Sequence, residues 1–385
     1  MHPTIVVASD SMKGSLTSAQ VAAAVSQGIK SVLPEAQVVQ VPIADGGEGT
    51  TEALVGAMNG YLKEVIVNGP LSGKVTAHYG ISGDTAIIEM AQAAGLELVP
   101  LELRNPMLTS TFGVGEMITD ALNHGCRHII ICIGGSATND GGMGMLQALG
   151  AKILDSDGNS LPGRGSSLSQ VAKIKLDDLD PRLQECTIDV ACDVDNPLYG
   201  PNGAAYVFAK QKGADHEMIE ALDSGLRNYG STLSDIAGQD ISSMAGAGAA
   251  GGLGAALVAI LHARLKPGID VVLDTIHFDS IIEGAQLIIT GEGHIDAQTL
   301  RGKAPIGVLR CGERAKIPVV AVAGQVDHMQ ELHKAGIAAI YPISDPSLSL
   351  AENMNQATAM SHLETTAVQI ALQHLGSPTH SYKYK

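Results

Sequence analysis

Apolar residues along the chain fall into two alternating rhythms. Residues 4–8, "TIVVA", form a short uninterrupted apolar run, the pattern of a strand buried on both faces. Thr17 followed by Gln20 makes a capping box, and Val21, Val25, Ile29 and Val32 then recur near helical spacing. "QVVQVPIA" at 37–44 predicts the next strand, and a glycine turn then leads into a helix over 50–58. Strand, helix, strand in this order predicts a βαβ unit with a parallel sheet.

The far end of the chain repeats the style. "AQLIITGEG" at 285–293 and "IPVVAVAGQV" at 317–326 predict strands running into glycine turns. "GIAAIYPISD" at 336–345 predicts a third strand and 348–375 a helical end, while "GSPTHSYKYK" at 376–385 has the character of a tail. The middle differs. Residues 65–100 alternate short strands and turns, and "TAHYGISGDTAIIEMA" predicts an antiparallel hairpin. Residues 155–170 are loop-like, 187–198 predict strand then turn, and 246–261 a glycine loop opening a helix of small residues. The expected fold class is α/β. A Rossmann-like parallel-sheet domain is formed by both chain ends (1–62 and 285–385), and a second α/β domain (63–284) is inserted in it. The strand within 127–150 would suit either sheet.

Composition narrows the function. A chain of 385 residues exceeds one ordinary core, which agrees with two domains. The net charge of −16 excludes nucleic-acid backbones and anionic membranes as expected partners, but not small anions held by backbone N–H groups and a few placed cations. Cys126, Cys132, Cys186, Cys192 and Cys311 form no C-x-x-C pair and are expected to be buried free thiols in a reducing compartment. The start, "MHPTIVVASD", lacks the features of a signal peptide, and the apolar run at 251–265 is too short to cross a bilayer. The expected location is cytoplasmic.

Four acidic glycine turns follow apolar runs: "SDSMKGS" (9–15), "ADGGEGT" (44–50), "TNDGGMG" (138–144) and "TGEGHIDAQT" (290–299). One such turn is only a turn, since Asp and Gly favour them. Four at strand ends suggest one ligand-binding cleft. The run "IIICIGGSATNDGGMG" at 129–144 fits neither G-x-G-x-x-G nor the P-loop pattern. Adjacent glycines let backbone approach a phosphate, while carboxylates hold Mg²⁺ or accept a proton from an attacking hydroxyl. That combination suggests a Mg-nucleotide and an alcohol acceptor. Lys13, between Ser11 and Ser15, is the better candidate anion anchor. Lys303 and Lys212 lie by similar loops, where a lysine is ordinarily a solvated surface charge; Arg301 and Arg164 are weaker candidates. His294 suits a turn or a phosphate contact. Asp193, directly after a strand, suits a general base or a metal contact.

These segments, with "IEMAQAAGLELV", "ACDVDNPLYGPNGAA", "QKGA", "PGID" and "LIITGEGHIDAQTLRGKAPIGV", resemble the bacterial type I glycerate kinases in the family's order across nearly the whole chain. The resemblance implies ATP- and Mg²⁺-dependent phosphorylation of D-glycerate, most simply to 2-phosphoglycerate, by a two-domain α/β protein acting as monomer or homodimer. Ser9 and Lys210 stand where the family usually has Pro, and His294 where it usually has Arg, so a fixed cation becomes a titratable one. Local chemistry then assigns the ATP phosphates to Gly134, Gly135, Ser136, Asn139 and Asp140 together with Gly291, Glu292, Gly293 and Lys303. Lys13 and Lys303 neutralise either the transferring group or the glycerate carboxylate. Asp193 is the expected base, Asp45 the second candidate, and Asp296 and Asp140 the metal-side carboxylates. Two rival classes remain: a nucleotide-dependent oxidoreductase, opposed by the missing dinucleotide turn, and a non-catalytic sugar-acid sensor.

Overall fold

The computed structural model describes residues 2–376 except Glu48, Ser72, Gln298 and His328, together with the side chain of Arg301. Residues 377–385, most of the expected tail, lie outside the described residues. In chain order the strands are β1 (Thr4–Ser9), β2 (Gln37–Gln40), β3 (Tyr61–Asn68), β4 (Lys74–Ser82), β5 (Thr85–Glu89), β6 (His128–Cys132), β7 (Lys152–Leu154), β8 (Lys173–Lys175), β9 (Thr187–Ala191), β10 (Arg264–Lys266), β11 (Leu287–Ile295), β12 (Val319–Val326) and β13 (Ala339–Pro342). The fold is α/β. The chain divides into two compact units, 1–45 with 272–385, and 46–271.

The first unit is a parallel sheet in the order β13-β12-β11-β1-β2. β1 lies inside the sheet, which is why its apolar run has no polar face: Ile5, Val6, Val7 and Ala8 are wholly buried. Ile5 pairs with Leu287 and Ser9 with Gly291. The helix Ser18–Val32 starts at the expected capping box: the Gln20 N–H donates to Thr17 Oγ1 at 3.2 Å and the Thr17 N–H to Gln20 Oε1 at 2.9 Å. It packs on the long helix Gln356–His374 through Gly28, where a β-carbon would stand 2.2 Å from the Glu364 carbonyl oxygen. Gly28→Ala is therefore expected to force the helices apart and cost about 1–3 kcal/mol, read as a lower urea midpoint. An unchanged midpoint would mean the pair slides without penalty.

Two expected glycine turns are instead strand. β11 continues through Gly291 and Gly293, and β12 through Gly324. The apolar run ended in the sequence, but the ladder does not: Glu292 pairs with Ala323 and His294 with Gln325. Gly291 serves this close approach, since a β-carbon there would meet the Val322 carbonyl oxygen at 2.2 Å.

The second unit has a six-stranded sheet ordered β10-β9-β6-β5-β4-β3, parallel from β10 to β5 and antiparallel at β4 and β3, with a separate β7-β8 hairpin. The predicted β4-β5 hairpin is present. β6, the strand that suited either sheet, runs between β5 and β9. The sequence reading changes domain at 62/63 and 284/285, whereas the compact units change at 45/46 and 271/272. Helix Thr50–Ala57 packs on the second sheet, with Val55 and Thr51 filling the space over Gly80 of β4. Among the described residues no helix is long and apolar enough to cross a membrane. All five cysteines are free; Cys126, Cys132 and Cys311 are buried, while Cys186 and Cys192 are only half-buried.

Candidate active site

In the first unit the chain passes from β1 to β2 in one direction across the sheet and from β11 through β12 to β13 in the other. The point of reversal, at the carboxyl ends of β1 and β11, is where open α/β sheets leave a crevice for ligands. A cavity of about 330 Å³ lies there, lined by Asp10, Lys13, Asp45, Glu292, His294 and Lys303 among others, with Met12, Ile343 and Met354 as an apolar wall. Asp10 leaves β1 with its N–H donating to the Gly291 carbonyl at 2.9 Å, and its carboxylate accepts the Ser11 N–H at 2.5 Å. Lys303 caps the N-terminus of helix Ala304–Ala315, whose first N–H groups favour anions.

The carboxylates here are not at ease. Burial, then the charge of Asp45, pushes Asp10 up to about 6, against hydrogen bonds from Ser11 and the charge of Lys13. Burial also pushes Glu292 up to about 7. The Thr299 hydroxyl that donates to it and Lys303 oppose the rise, while Asp10 and Asp45 add to it. Asp45 thus acts on both raised acids, and Asp10 on Glu292. His294 Nε2 lies 2.8 Å from Asp327 Oδ2, so this position keeps an acidic partner and pairs as an ion when protonated. Asp296 is not in the cavity lining; its N–H donates to Thr299 Oγ1 and its carboxylate accepts the Thr299 N–H, which holds the hydroxyl that bonds Glu292.

The second unit has its own cavity of about 380 Å³ at the ends of β6 and β9. Gly47, Gly134, Gly135, Ser136, Asp193 and Lys212 are in its lining. Asp193 is exposed, and its Oδ1 accepts the Gly268 N–H at 2.8 Å. Asn139 and Asp140 are elsewhere: both are fully buried and neither lines the cavity. Asp140 accepts from the Thr111 N–H and Oγ1 at 2.8 Å each, from the Gly142 N–H at 3.1 Å and from the Gly144 N–H at 3.2 Å. Burial raises its pKa despite these bonds. With both oxygens so engaged, Asp140 braces the glycine turn. A D-G-G-x-G motif reads identically whether its acid faces a ligand or its own backbone.

Of the residues assigned to the ATP phosphates, 134–140 belong to the second unit and 291–293 with Lys303 to the first. Lys212 is a correction. It is 2% exposed, not a solvated surface charge. Asp10 was missed, although it follows a buried strand directly, the signal that singled out Asp193. The side chain of Arg301 lies outside the described residues, as do Glu48 and Gln298 of the acidic turns.

Comparison with known proteins decides what this apparatus belongs to. Residues 5–374 match the profile of the glycerate kinase family. The chain belongs to the glycerate kinase family. The kinase is 49% identical to the glycerate 2-kinase of Escherichia coli K12 over 342 residues, 88% of this chain and 90% of that protein. It is 46% identical to the glycerate kinase of Halalkalibacterium halodurans, over 96% of this chain and 97% of that one. The crystal structure of a putative glycerate kinase 2 from Salmonella typhimurium LT2 superposes with a TM-score of 0.89 at 45% identity, covering 96% of this chain and 98% of the other. The chain is accordingly a kinase that transfers phosphate to an alcohol.

Proposed function

We propose that this kinase transfers the γ-phosphoryl group of ATP to the 2-hydroxyl of D-glycerate, with Mg²⁺, in the cytoplasm. The observation that carries the reading is the cavity of the first unit, which sets Lys13 and Lys303 among Asp10, Asp45 and Glu292 at the sheet's reversal point. Phosphoryl transfer passes through a loose transition state and asks the protein for position and charge neutralisation more than covalent help. Lys13 and Lys303 neutralise phosphate oxygens, the N-terminus of helix Ala304–Ala315 adds positive potential, and the apolar wall takes the base. Both glycines lie in β11: Gly293 faces the Met12–Lys13 backbone of the cavity, while Gly291 serves the close approach of β12.

Mg²⁺ fits this donor set. Among the described residues no group of three or more acidic, cysteine or histidine side chains is arranged to enclose a metal. Mg²⁺ rarely needs that: one or two carboxylates, waters and the substrate's phosphates suffice. The mutual repulsion of Asp10, Asp45 and Glu292 is what a cation would relieve. One or two of them, with waters and the phosphates, would hold it, and it would supply charge neutralisation on the phosphate oxygens.

The second unit suits the acceptor. Asp193 takes the proton from the hydroxyl, and the amides of Gly134 and Gly135 with Ser136 orient the acid. Asp140 holds this glycine turn in shape. Incubation with ATP, Mg²⁺ and D-glycerate, followed by ³¹P and ¹H NMR, is expected to show phosphate on carbon 2. Phosphate on carbon 3 would keep the reaction and overturn the product. Glycerate binding without turnover would favour a sensor.

A further inference from the structure

Lys212 ends a short 3₁₀ turn, Lys210–Lys212, and is wholly enclosed by the second unit. Its ammonium donates to Ser136 Oγ at 2.8 Å and to the Thr138 carbonyl at 2.6 Å. Both acceptors are neutral, and an ammonium has a third N–H to give. Among the described residues no carboxylate stands within ion-pair distance; Asp140 acts on it only through space. Burial pushes the amine down to about 7, against the charge of Asp140. A buried, unpaired cation is expensive, and a fold keeps one where something else supplies the anion. Lys212 also lines the 380 Å³ cavity, which it shares with Asp193 and the glycines 134 and 135.

We propose that Lys212 is the specificity-determining cation of this cavity, forming the ion pair with the carboxylate of the hydroxy acid substrate. The inference rests on the reading that the second unit takes the acceptor. Lys212 then fixes the acid end, and Ser136, which accepts from the same ammonium, ties it to the glycine turn. The pair explains selection of a hydroxy acid over a polyol: glycerol offers the same hydroxyls but nothing to the ammonium, which then stays buried and unmatched.

The test is calorimetry of D-glycerate binding to the wild type and to Lys212→Met, with D-glyceramide as the uncharged probe and ATP binding as the control for folding. Lys212→Met is expected to weaken D-glycerate at least about 30-fold, leave ATP within about twofold, and leave the already weak glyceramide unchanged. On the wild type alone, binding at pH 8 is expected to take up protons, seen as a heat that varies with buffer ionisation enthalpy. A merely structural lysine would not produce that uptake, and this readout stands even if the variant fails to fold. Unaltered glycerate affinity in the variant, equal loss for glycerate and glyceramide, or no proton uptake by the wild type would each overturn the assignment. If the wild type does not bind glycerate, the proposed function fails separately. Glycolate, lactate and malate then replace it: Lys212-dependent binding of any of them keeps the assignment, and none overturns it.

Discussion

Asp193→Asn is expected to lower turnover of D-glycerate by about 10²–10⁴-fold, the usual worth of a general base, with thermal unfolding unchanged. The substitution is chosen for what it preserves. Asn keeps an oxygen to accept the Gly268 N–H, the contact that aims the side chain from the end of β9, and it keeps the shape. It removes the capacity to take a proton from the acceptor hydroxyl. Asp193 is exposed at the rim of its cavity, so its loss leaves no buried charge unpaired. KM for glycerate should move little if, as proposed, Lys212 holds the carboxylate end. A fall of less than about tenfold would remove Asp193 from the role. Glu292 and Asp10 of the first unit, both raised toward neutrality, would then be the bases to test, with Glu292 first.

How much of this could be read beforehand depends on what each residue faces. β1 was legible because a strand buried on both faces must be continuously apolar, and Thr17 with Gln20 because a capping box is a local bargain between four residues. The hairpin of β4 and β5 was legible for the same local reason. β11 and β12 were misread at their ends, since glycine marks both a turn and a strand where a neighbouring backbone comes close; only the partner strand separates the two at Gly291 and Gly324. The site split similarly. That Asp10 and Asp193 sit just past strand ends can be located from the apolar runs of β1 and β9, whereas Glu292 lies within β11. That Asp140 turns inward to four donors and Lys212 lies buried cannot follow, because burial of a polar side chain is decided by elements distant in the chain: Thr111 for Asp140, and Ser136 for Lys212.

Glu292→Gln is expected to make the ligand-free protein more stable at pH 8 and a poorer enzyme. Glu292 is buried, and its pKa rises from the ordinary 4.5 to about 7 in the fold. A raised carboxylate favours folding in its protonated form, so its contribution is fully present below about pH 4.5 and lost as the pH climbs through 7. Asp10 follows the same course between 3.8 and about 6. The wild type should therefore gain stability on going from pH 8 to pH 5.5. At about 1.4 kcal/mol for each tenfold in proton affinity, Glu292 accounts for about 2 kcal/mol of that change. Gln keeps the shape and an oxygen for the Thr299 hydroxyl, and carries no charge at any pH. Its advantage in urea midpoint should be largest at pH 8 and vanish below about pH 4.5. Loss of an equal amount of stability at both pH values would show instead that the ionised carboxylate is well paired. On the proposed function the same charge helps hold the Mg-nucleotide, so removing it is expected to weaken Mg²⁺-dependent ATP binding about 10–100-fold, measured calorimetrically with and without the metal. On the proposed reading, the repulsion that Asp10 and Asp45 exert on Glu292 is what a cation and phosphates entering the site would relieve.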